Sequence, residues 1–77
     1  MFSKENFGER LSALRLNRGL GQQALGDALE VTKATISRLE SGDRAPSVEV
    51  LCALADYFNV SIDYLVGRTD NQDFHKR

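Results

Sequence analysis

Lys33, Ala34, Ser37 and Arg38 stand one, three and four residues apart, the spacings at which side chains share one face of an α-helix. Such a face could read base pairs. A guanidinium donates two parallel hydrogen bonds to guanine O6 and N7, an ammonium does so less selectively, and an alanine methyl packs on the thymine methyl. A short helix of mostly small residues with two cations facing outward fits the major groove of DNA. No competing chemistry assembles elsewhere. The only histidine, His75, sits beside the C-terminus, where it can neither join a Ser and an acid as a catalytic set nor find a companion metal ligand. Glycines 19, 21 and 26 fail the dinucleotide fingerprint, because the third falls too late and no strand precedes them. Walker-type phosphate loops are absent. Cys52 reads as a small core hydrophobe on a helix. Neither an enzyme nor a cofactor is expected.

The stretch QQALGDALEVTKATISRLES, residues 22–41, must hold that face in place. Two short apolar-striped helices fit it, Gln22 to Leu29 and Lys33 to Ser41, with room between them only for a tight turn. Leu25, Leu29, Val31, Ile36 and Leu39 fall where two helices crossing steeply must touch. Gly26 is small where a large side chain would push the second helix away. Thr32 is a good N-cap for that helix, whereas Gly21 leaves the preceding one without a side-chain cap. This is a helix-turn-helix pattern. Around it, a first helix is predicted from about Lys4 to Asn17, capped by Ser3, with Phe7, Leu11 and Leu14 on one face and Gly19 suited to the left-handed stop. A fourth, about Val48 to Phe58, is capped by Ser47 and turns Val48, Leu51, Leu54, Ala55 and Phe58 inward. Ser61 caps a short fifth containing Ile62, Leu65 and Val66. No window alternates as a strand would. The expected fold is all-α, with a five-helix domain over residues 1–67 and a polar, loosely ordered tail over 68–77.

Seventy-seven residues make one domain, with a core small enough that a partner subunit often adds stability. The formal charge is −1, where a nucleic-acid binder is usually basic. The distribution softens this. Residues 1–48 hold seven Lys or Arg and six acids, and residues 49–77 hold three and five. A basic face with an acidic back is expected, since affinity depends on the cations that meet phosphates and not on the total. One cysteine, no apolar run near the roughly 20 residues that span a bilayer, and no signal-peptide stretch fit a cytoplasmic setting away from membranes.

The elements LRLNRGLGQQALG, VTKATISRLESGDRAPS and VLCALADYFNVSIDYLVG together resemble the Cro/repressor-type helix-turn-helix proteins, the lambda-repressor-like XRE family. They cover roughly residues 7 to 67. The combination is specific, above all the IS-x-x-E-x-G-x-x-x-P run from Ile36 to Pro46. The resemblance implies a compact five-helix domain binding a double-stranded DNA operator, commonly as a two-fold dimer, with the third helix reading bases. It assigns Lys33, Ala34 and Arg38 to base edges, with Ser37 beside them. Gln22, Thr32, Ser41 and Arg44 fall to phosphates, and Arg15 with Glu40 to a largely buried structural ion pair. Two positions depart from the family pattern. Glu30 stands where the turn usually has glycine, costing on the order of 1 kcal/mol if its φ is positive. Gly21 replaces the usual Ser, Thr or Asn cap, costing a few tenths of a kcal/mol.

Ile62, Tyr64, Leu65 and Phe74 offer apolar surface for a homodimer interface through the fifth helix and its flanks, symmetric dimers being the commonest assemblies. The expected function is a sequence-specific transcriptional regulator, a repressor in the first reading. An alternative from another class is a protein-interaction module, such as the antitoxin of a toxin–antitoxin pair, with a protein partner. The acidic balance and the Phe74-bearing tail motivate it.

Overall fold

The computed structural model describes residues 1–73; Phe74 and His75 lie outside the described residues. Five helices follow one another: α1 Lys4–Asn17, α2 Gln22–Leu29, α3 Lys33–Ser41, α4 Val48–Phe58 and α5 Ile62–Leu65. Four of the five starts are set by a side-chain cap. The hydroxyls of Ser3, Thr32, Ser47 and Ser61 accept from the backbone N–H three residues on, at Asn6, Thr35, Val50 and Tyr64, satisfying a donor that the helix itself leaves unpaired. Gly21 opens α2 with no side-chain cap.

Phe7 and Leu11 of α1, Leu25 of α2, Ile36 and Leu39 of α3, and Leu54, Ala55 and Phe58 of α4 close one core, joined by Val60 and Leu65. The α1–α3 contact is close because residue 8 is glycine. A Cβ there would stand 2.7 Å from the Leu39 carbonyl oxygen and nearer still to that of Glu40. Gly26 does a related job at a different place. Its missing Cβ would meet Val31 O at 2.8 Å, so it makes room for the backbone of the turn and not for the body of α3.

Three residues sit differently from their sequence expectation. Val48 is 76% exposed, on the rim of α4 and not on its inner face. Cys52 is exposed and is no core hydrophobe: two residues from buried Leu54, it lies about 160° away around the helix at roughly 100° per residue. Leu65, expected at a dimer interface, is 0% exposed and belongs to the core, so it has no surface to offer a second copy.

The polar segment after Gly67 is also better held than its composition suggests. Arg10 on α1 donates Nη1 to the carbonyls of Tyr64 (2.9 Å) and Thr69 (2.8 Å) and Nη2 to Asp70 (2.6 Å). Its guanidinium lies 4.4 Å from the centroid of the Tyr64 ring. Ser61 N donates to Gln72 O at 2.8 Å. These bonds fasten residues 68–73 across α1 and α5.

Candidate nucleic-acid interface

Burial fixes the rotation of α3. Ile36 and Leu39 face the core at 0% and 1% exposure, which turns Lys33, Ala34, Ser37, Arg38 and Ser41 outward, all exposed. Among the described residues, no hydrogen bond or ion pair engages the side chains of Lys33, Arg38 or Arg44. Their donors are therefore available to a ligand. The four candidate base readers form one continuous surface, with Arg44 on the loop that follows α3.

The turn between α2 and α3 is an αL stop. Glu30 has φ 60° and ψ 40°, and its N–H returns to Asp27 O. Val31 N closes on Gly26 O at 2.9 Å, the bond pattern of a helix ending on a left-handed residue. The conditional cost attached to Glu30 thus applies. Glycine would occupy this φ freely, whereas Glu crowds its Cβ against the following carbonyl.

The expected phosphate positions divide by how their donors are used. Thr32 Oγ1 accepts from Thr35 N and shares a hydrogen bond with Thr35 Oγ1. Ser41 Oγ donates to Arg38 O at 3.1 Å and accepts from Asp43 N. Its single proton must leave that carbonyl before it can meet a phosphate oxygen. Gln22 is half-buried, and its Nε2 donates to Glu40 Oε1 at 3.1 Å, a link that no local spacing predicts. With no side-chain cap from Gly21, the first backbone N–H groups of α2 have no capping acceptor among the described residues, and a helix N-terminus favours an anion.

Behind this surface Arg15 and Glu40 form a two-bond pair. Nε meets Oε2 at 2.5 Å and Nη2 meets Oε1 at 2.9 Å, with the side chains 11% and 8% exposed. Arg15 Nη1 takes Leu20 O at 2.8 Å. The hydrogen bond to Glu40 raises the Arg15 pKa above its ordinary value, and Glu40's charge adds to this, against burial, which lowers it. Arg15 therefore stays charged, as a guanidinium does in proteins, and its own titration adds no pH dependence to the pair in the ordinary range. Of the other expected interface residues, Ile62 is 37% exposed and Tyr64 is half-buried beneath Arg10.

The helix-turn-helix family model matches residues 11–65. The HTH-type transcriptional regulator AnsR of Bacillus subtilis is 42% identical over 60 residues, covering 78% of this chain and 52% of AnsR. The P22 c2 repressor protein, solved in complex with a synthetic operator, superposes with a TM-score of 0.75 at 37% identity, over 78% of this chain and 91% of that one. A transcriptional regulator from Listeria innocua superposes with a TM-score of 0.77 at 37% identity, over 92% of this chain and 64% of the other. The chain spans about half the length of AnsR, and less than two thirds of other curated relatives it matches.

Proposed function

The chain belongs to the HTH_3 helix-turn-helix family, and from that premise we propose that it is a sequence-specific transcriptional regulator that lays α3 in the major groove of DNA. The observation that carries this reading is the outward face of α3. Lys33 and Arg38 project there with no partner among the described residues, flanked by the small side chains of Ala34 and Ser37. In the groove Arg38 takes guanine O6 and N7, Lys33 takes an adjacent base edge, and Ala34 touches a thymine methyl. Arg44, Thr32, Ser41 and Gln22 hold flanking phosphates and set the register of the helix.

The regulator acts as a repressor by occupying its operator, as a homodimer whose two α3 helices lie about 34 Å apart. Ile62 and Tyr64 contribute to the contact between copies; Leu65 does not. The interaction-module alternative gains nothing from the relatives, whose names are those of transcriptional regulators. Selection of bound sequences from a randomised duplex pool tests the proposal. A palindromic motif with half-sites one helical turn apart is expected, and no enriched sequence at all would overturn it. In the same pool Arg38→Ala should weaken specific binding by about 1–3 kcal/mol and relax one base preference; an unaltered preference removes Arg38 from base reading.

A further inference from the structure

Gln22 has the type and position of a phosphate ligand, yet its side chain is not free. Its Nε2 donates to Glu40 Oε1, an oxygen that also accepts Arg15 Nη2, while Glu40 Oε2 accepts Arg15 Nε. A carboxylate only accepts, so the amide nitrogen, and not its oxygen, must face Glu40. One N–H is spent there in a charge-assisted bond, and the second is the donor that remains. Glu40 is 8% exposed, so this anchor lies largely out of water, where it holds better than a surface contact. Arg15 meanwhile fixes the backbone leading into α2 through Leu20 O. Glu40 itself belongs to α3, the helix whose outer face carries Lys33 and Arg38.

We propose that Glu40 is a positioning residue for DNA binding: locked by Arg15, its carboxylate holds the Gln22 amide so that the second N–H is presented to a phosphate. The start of α2 and the reading face of α3 are thereby held at a fixed spacing. The proposal rests on the reading of Gln22 as a phosphate contact, and the test separates the two.

Affinity is measured for a duplex recovered by the wild-type protein from the randomised pool, alongside thermal stability and the dependence of affinity on salt. Gln22→Ala is compared in the wild-type chain and in a chain carrying Arg15→Met with Glu40→Leu, because apolar residues of similar volume can replace a buried ion pair without unfolding the domain. In the wild-type chain Gln22→Ala should weaken binding about three- to tenfold, the range of one hydrogen bond. The apolar pair should weaken it about as much, and adding Gln22→Ala to that pair should cost nothing further. The salt slope should stay unchanged throughout, since a neutral amide displaces no counterion; a general loosening that released Arg44 from phosphate would lower it.

If Gln22→Ala alone leaves affinity intact, the phosphate reading of Gln22 fails and takes the proposal with it. If Gln22→Ala costs the same in both backgrounds, the phosphate reading stands and the positioning role of Glu40 is overturned. Should the apolar pair not fold, the comparison is made in Glu40→Gln, which has one acceptor oxygen where two are used. A smaller cost of Gln22→Ala there supports the proposal, and an equal cost overturns it.

Discussion

Replacing Glu30 with glycine should stabilise this protein, an unusual outcome for a substitution that removes a side chain. Glu30 closes α2 at φ 60°, a conformation that brings the Cβ of an L-residue against the following carbonyl at a cost of about 1–2 kcal/mol. Glycine removes that strain but adds freedom to the unfolded chain, which takes back about 0.5–1 kcal/mol. The side chain is exposed and carries negative charge at a helix C-terminus, where the dipole disfavours it by a few tenths of a kcal/mol. The net expectation for Glu30→Gly is a gain of about 1 kcal/mol, or roughly 4–8 °C in Tm for a domain of this size. Thermal unfolding followed by circular dichroism measures it. Glu30→Gln separates the two causes, since it keeps the strain and removes only the charge, and should yield a minor part of the gain. Affinity for DNA should change little, because Glu30 is not on the face of Lys33 and Arg38. A Tm for Glu30→Gly at or below that of the wild type would refute the reasoning from backbone strain.

Other substitutions test other links. Arg44→Ala should weaken binding to every duplex alike and lower the salt slope by about one; a sequence-selective loss would move Arg44 from phosphate to base reading. Arg15→Ala leaves the Glu40 carboxylate buried without its partner and should cost about 3–5 kcal/mol of stability, and a denaturant midpoint near wild type would contradict the burial assigned to the pair. Arg10→Ala removes the donors that fasten residues 68–73. The Ser61 amide, bonded to Gln72 O, should then exchange its hydrogen faster, with the amides of the α3 core unaffected. Unaltered exchange at Ser61 would show that the strap does not depend on Arg10.

Local rules act within a few residues, and they were legible. Ser3, Thr32, Ser47 and Ser61 marked where four helices begin, because a cap needs only a hydroxyl three residues before a backbone N–H. The identity of Glu30 announced a cost at the turn, and the spacing of residues 33 to 38 grouped Lys33, Ala34, Ser37 and Arg38 on one side of α3, the side that packing leaves exposed. Helical period also holds the information that Cys52 opposes Leu54, although the apolar character of cysteine masked it.

Tertiary structure decided what depends on which element covers which. Val48 is apolar and near the inner face of its helix, yet no described residue closes over it. Leu65 is no more apolar and is completely enclosed. Gly8 shows its purpose only when the carbonyls of Leu39 and Glu40 arrive against α1. Arg10 reaches acceptors 54 to 60 residues away in the chain, and Gln22 finds Glu40 across 18. No periodicity encodes such partners. A helix pattern fixes directions about its own axis, whereas the angle and depth at which helices meet come from the packing of all of them together.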